Sequence, residues 1–65
     1  MRINLNGEAV EVETTRLSDI LEECGYHGER IATAVNGEIV HRQSRAETRL
    51  DEGDRLEVLA PVVGG

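Results

Sequence analysis

The residues of this sequence best suited to chemistry are its last four, Val62-Val63-Gly64-Gly65. Glycine lacks a Cβ, so its backbone takes extended or positive-φ conformations freely and lets a narrow cleft close around it. A Gly-Gly end can therefore thread into an enzyme and offer its acyl carbon for attack. The carboxylate of Gly65 is expected to be the working group, with Gly64, Val63 and Val62 forming the tail that a partner grips. Leu59 is expected to give apolar contact at the tail's base. Apolar residues leading into an extended segment can lie along a partner's groove and add main-chain hydrogen bonds, as an extra strand does. The competing expectation for Leu59 is burial in the core.

Other chemistry-bearing residues have plainer readings. A thiolate can relay persulfide sulfur, but the single cysteine, Cys24, falls on an apolar helical stripe and is expected to be a small buried core residue. His27 and His41 sit in predicted loops without cysteine or carboxylate at ligand spacing, so no metal site is expected. Glu22-Glu23, Asp51-Glu52 and Asp54 are acidic, but neither a nucleophile nor a cleft accompanies them. They are expected to be solvated surface, with a secondary role in steering encounter with a basic partner.

Composition narrows the function classes. A chain of 65 residues makes one domain with a thin core and has no room for a pocket of ordinary enzyme size. That points to a carrier or co-substrate acted on by other enzymes. Thirteen acidic against seven basic residues give a net charge of −6, which argues against nucleic acid and anionic membrane surfaces as partners. All seven basic residues are arginine, so no ε-amine is present for Schiff-base chemistry or to receive an isopeptide bond from the tail. One cysteine, the lack of an apolar signal region and the lack of any membrane-length apolar run predict a soluble cytoplasmic protein.

The elements that must hold the tail in the open follow from periodicity. Ile3 and Leu5 alternate with Arg2 and Asn4 in a half-buried strand over 1–5. Asn6-Gly7 is a hairpin signal, because a type I′ turn needs positive φ at both central residues. Val10 and Val12 alternate with glutamates in the return strand. Thr14 and Thr15 offer a cap to a helix whose stripe is Leu17, Ile20, Leu21 and Cys24, with Gly25 stopping it in the left-handed conformation. Gly28-Glu29-Arg30 reads as a loop and 31–35 as a strand with Ile31, Thr33 and Val35 on one face. Asn36-Gly37 turns the chain into a short strand over 38–40. Residues 41–48 are polar and irregular, with a helical turn near 44–47. Asp51-Glu52-Gly53-Asp54 is a loop of turn formers, 55–59 is a final strand expected centrally beside the first, and Pro61 closes regular structure.

Asn6-Gly7, Asn36-Gly37-Glu38-Ile39-Val40, Glu52-Gly53-Asp54-Arg55 and Gly64-Gly65 together give the chain a resemblance, over essentially its whole length, to the ubiquitin-like β-grasp sulfur carriers. Those of thiamin biosynthesis are the nearest. The implied fold is α+β, with a mixed sheet of four or five strands packed on one main helix, a domain over 1–60 and a flexible Gly-Gly tail over 61–65. The implied chemistry is adenylation of the Gly65 carboxylate by a ubiquitin-activating-like adenylyltransferase, which uses ATP and Mg²⁺, while the carrier itself binds no cofactor. Sulfur from a cysteine desulfurase then gives a thiocarboxylate, and a thiazole synthase accepts it. The pattern departs from those carriers at His41, where proline is frequent, and at Arg45, where an aromatic is. The tail is also similar to that of the molybdopterin synthase small subunit, so sulfur supply to molybdopterin or another thiolation pathway is one alternative. A ubiquitin-like protein modifier and a plain interaction module are others.

Overall fold

A computed structural model of the chain describes residues 1–27 and 30–60. Strand β1 (Arg2–Leu5) and strand β2 (Glu8–Glu11) form an antiparallel hairpin in which Arg2 faces Glu11 and Leu5 faces Glu8. The turn between them has Asn6 at φ 50° and Gly7 at φ 90°. Asparagine tolerates the left-handed region because its short side chain can bond locally, which is why Asn-Gly marks this turn. Helix α1 (Leu17–Glu23) follows, and then β3 (Ala32–Val35), a second Asn-Gly turn with φ 51° and 86°, and β4 (Glu38–Val40). A 3₁₀ helix (Arg42–Glu47) leads to the last strand, β5 (Arg55–Leu59).

The five strands make one mixed sheet in the order β2-β1-β5-β3-β4. The final strand is central and beside the first, as expected, and it runs parallel to β1 and antiparallel to β3. On the sheet face that packs against α1, Ile3, Leu56 and Val58 meet Leu17, Ile20 and Leu21 in one core. With so thin a core, losing one of these side chains at about 2–5 kcal/mol would consume most of the stability of so small a domain.

The helix ends differ in how well the sequence foretold them. At the C-terminus, the Tyr26 N–H donates to the Leu21 carbonyl at 2.8 Å and the Gly25 N–H to Glu22 at 3.1 Å, with Gly25 at φ 92°. This is the Schellman arrangement, and only glycine enters it without steric cost. At the N-terminus the cap is Arg16, with no side-chain capping bond, rather than Thr14 or Thr15. The helix is entered instead through tertiary pairing, in which Arg16 bridges Arg49 and the Leu17 N–H donates to the Thr48 carbonyl at 2.8 Å. Thr14 and Thr15 are engaged elsewhere, with Thr14 donating to Glu23 and Thr15 accepting from Arg49. Several boundaries also shift. The predicted turn at 44–47 belongs to the longer 3₁₀ helix, β1 and β3 begin at Arg2 and Ala32, each one residue after the expected start, and Val12 falls just past the end of β2.

Two asparagine side chains complete the ladder of β5. Where β1 turns away at Asn6, the side-chain amide takes over. Its Nδ2 donates to the Val58 carbonyl at 3.1 Å, and its Oδ1 accepts from the Val58 N–H at 2.8 Å. At Asn36, where β3 turns away, the main-chain N–H still donates to the Arg55 carbonyl, while Oδ1 accepts from the Arg55 N–H at 3.0 Å. A primary amide carries the same donor and acceptor as a peptide group, so each asparagine adds side-chain bonds to β5 beyond the one its main-chain N–H makes to Leu56 or Arg55.

Glu23 is exposed yet not idle. Its carboxylate accepts from the Glu13 N–H at 2.8 Å and from the Thr14 N–H and hydroxyl, tying the β2–α1 loop to the helix. The bond from the Glu13 N–H holds the Glu23 carboxyl below its ordinary value. A depressed folded-state pKa means the stabilisation is complete above the unfolded-state pKa and is lost as pH falls through the folded one.

Two outcomes follow for stability. Asn6→Gly keeps the turn's positive φ but loses both bonds to Val58, and should lower stability by about 1–3 kcal/mol, read as a lower denaturant midpoint at unchanged slope. Glu23→Gln should flatten the acid limb of the stability–pH curve as pH falls below the ordinary glutamate value of about 4.3. Parallel curves for wild type and variant would show that the clasp contributes nothing.

Candidate functional site

The expected working group, Gly65, and the tail residues Gly64, Val63 and Val62 lie outside the described residues, as do Pro61 and Gly28-Glu29. What the structure places is the base from which the tail departs. Leu59 is the last residue of β5 and is 71 % exposed, so the expectation of a core role for it is overturned. The reason is the strand's period of two. Leu56 and Val58 face the helix, which turns Arg55, Glu57 and Leu59 to the opposite face of the sheet.

That outer face carries a second exposed apolar side chain, Ile39, at 72 %. Register relates the two. Ile39 faces Ala34, Ala34 faces Glu57, and Ala32 faces Leu59 across adjacent strands. The alanines leave a trough of about 100 Å³ lined by Ala32, Ala34, Glu57 and Leu59. On the other flank of β5 lies a wider, shallower depression with Asn4, Asn6, Arg55 and Glu57 in its walls. The sheet neighbour on that flank ends with the Asn6 amide opposite Val58. The end of β5 at Leu59 therefore lies beside an apolar floor on the outer face of the sheet, a surface that suits docking of an extended segment.

The remaining candidates are spread out. Cys24 caps α1, is partly buried against the core, and its thiol is pushed above its ordinary value by burial, with the neighbouring Glu23 carboxylate adding to the shift. A raised thiol pKa leaves little thiolate at neutral pH, the reverse of what a sulfur relay needs. His27 Nδ1 lies 3.2 Å from a Glu22 oxygen in an exposed pair. His41 sits apart at the start of the 3₁₀ helix. Among the described residues no three His, Cys, Asp or Glu side chains gather in a metal-binding group. Asp54 accepts from the Asp51 N–H and the Asn36 amide, and Glu52 from the Arg2 N–H. These acids brace loops rather than converge on a reaction centre. No described helix is long and apolar enough to cross a membrane.

The family model for the ThiS family matches residues 3–65. The chain belongs to the ThiS family. The match leaves out only the first two residues and runs through Gly64 and Gly65. A crystal structure of the thiamine biosynthesis protein ThiS from Geobacter metallireducens is similar at a TM-score of 0.80, with 25% identity and complete coverage of both chains. A solution structure of a thiamine biosynthesis protein from the same organism is similar at 0.81, also with 25% identity, covering 100% of this chain and 88% of that one. The ubiquitin-like β-grasp fold expected from the motifs is thus the fold of this ThiS-family chain. A thiazole synthase of Paramagnetospirillum magneticum is 32% identical over 66 residues. That stretch covers all of this chain but only 20% of the relative, so the ThiS-like segment is a fifth of a longer polypeptide.

Sequence reasoning had Leu59 as a contact residue but missed Ile39. The signal was present, since Ile39 alternates with Glu38 and Val40 and pairs with the small Ala34 across the turn. Iodoacetamide should alkylate Cys24 more slowly in the folded protein than in the urea-unfolded chain at the same pH, followed by intact mass. Equal rates would reveal an exposed, reactive thiol.

Proposed function

We propose that this ThiS-family chain is the sulfur carrier for thiamin thiazole synthesis, a co-substrate rather than a catalyst. The observation that carries the reading is the family match running through Gly64 and Gly65. It is supported by thiamine-biosynthesis proteins of the same fold and by a thiazole synthase that holds a similar segment on its own chain. Such a fused relative keeps sulfur donor and acceptor at high effective concentration.

The chemistry belongs to the tail and its partners. The Gly65 carboxylate is a poor electrophile, so an adenylating partner, with its own ATP and Mg²⁺, transfers AMP to it and releases pyrophosphate. The terminal sulfur of a desulfurase persulfide then displaces AMP from the acyl carbon. A thiol cleaves the resulting acyl disulfide to leave the thiocarboxylate. The thiazole synthase takes the sulfur and returns the carboxylate. The six residues 60–65 span at most about 22 Å when extended, so a partner that covers the trough beside Leu59 must hold its reacting atoms within that reach. The absence of lysine leaves the carrier without an ε-amine to intercept the activated acyl group.

Incubation with the adenylating enzyme, ATP and a desulfurase with cysteine should raise the intact mass by the difference between sulfur and oxygen. Deleting Gly65 should abolish the change without altering the melt. Leu59→Asp should raise the carrier KM while shifting stability by no more than about 0.5 kcal/mol. A ladder of heavier conjugates would instead make the chain a protein modifier, and a truncated chain that is still activated would remove Gly65 from the mechanism.

A further inference from the structure

At the end of the sheet where β5 finishes, the face opposite the apolar trough carries a second cavity. Ala32, the start of β3, pairs with Leu59, and the chain leaves β4 at Val40 beside Thr33. The 3₁₀ helix therefore begins at the same end of the domain as the last residue of β5, on the side of α1. Between that helix and α1 lies a cleft of about 310 Å³. Leu21, Ile31 and Ala46 give it an apolar floor, while Ser18, Tyr26, Arg42 and Arg45 supply polar groups.

The two arginines stand out against the charge of the molecule. Between 42 and 49 there are three arginines and one glutamate, in a chain of net charge −6. Arg45 is not a loose surface side chain. Its Nε donates to the Thr33 hydroxyl at 3.1 Å and its Nη2 to the Ile31 carbonyl at 2.7 Å. Thr33 is itself buried, at 2 % exposure, and donates to the Val40 carbonyl at 2.6 Å. The guanidinium is thus fixed in the cleft wall before any ligand arrives, which reduces the ordering cost of binding. Arg42, one turn earlier, is exposed at the mouth. The one carboxylate in the lining, Glu22, lies against His27 at 3.2 Å.

We propose that this cleft receives a carboxylate side chain of the protein that engages the tail, with Arg42 and Arg45 as its cationic contacts. The inference rests on the sulfur-carrier reading, because only a partner enclosing the tail meets both faces of this end of the sheet at once. An acidic carrier is drawn to a basic partner surface in many orientations. A single island of opposite sign, matched by an acidic residue on the partner, selects the orientation that aims the tail. An arginine pair presents the planar donor geometry that a carboxylate accepts, and the apolar floor accommodates the residues flanking it.

The test is ATP–pyrophosphate exchange by the adenylating enzyme, with the full carrier as variable substrate. Arg42→Glu should raise the carrier KM roughly tenfold, the size expected for one lost charge-assisted hydrogen bond, with kcat and the melt unchanged. Arg42→Lys should recover part of the loss. Arg2→Glu changes net charge equally, but Arg2 sits at the far end of the sheet, paired with Glu11, and should leave KM at the wild-type value. An unchanged KM for Arg42→Glu overturns the proposal, and so does an equal rise for Arg2→Glu, which would reduce the effect to overall charge. A wild-type carrier that supports no exchange at all overturns the sulfur-carrier reading and this docking role with it.

Discussion

The structure depends on satisfying both edges of β5. A central strand has main-chain donors and acceptors on two sides, and each one left without a partner in a buried setting costs as much as a lost hydrogen bond. Its neighbours β1 and β3 are four residues each against five in β5, and both end in tight turns. The deficit is made good by Asn6 and Asn36, whose amides stand in for peptide groups at Val58 and Arg55. The same residues tolerate the left-handed φ that turns the chain. One residue type thus meets two demands at one place, and β5 can run past its neighbours toward the tail.

Much of this was legible in the sequence, because it is encoded by period and by turn chemistry. The alternation of Leu56 and Val58, the stripe of Leu17, Ile20 and Leu21, and the stops at Gly25, Asn6-Gly7 and Asn36-Gly37 each report a local preference that the tertiary fold respects. The failures come from long-range contacts. The entry to α1 is set by pairing with residues 48 and 49, which no local cap signal reveals. Leu50, at 2 % exposure, is a core residue standing in a polar stretch without periodicity. Arg45 reads as loop polarity until the fold brings Thr33 and Ile31 beneath it.

The candidate site was legible in another way. Gly64-Gly65 and the apolar approach to it suggested the chemistry, but which side chains surround the tail's base depends on sheet order. Ile39 is twenty residues from Leu59 in sequence and joins it on one face only because β3 lies between β4 and β5. The body around that base is chemically quiet. Its cysteine is held back from the thiolate form, its carboxylates brace loops, and its exposed apolar groups are grouped on one face.

The flanking of β5 on both sides also has a mechanical consequence. Its ladder bonds to β1 and β3 run across the strand, with asparagine rungs at either end. Tension applied along the strand from Ala60 shears all of these rungs together instead of peeling them one by one. The domain thus resists being unravelled from the end of its central strand.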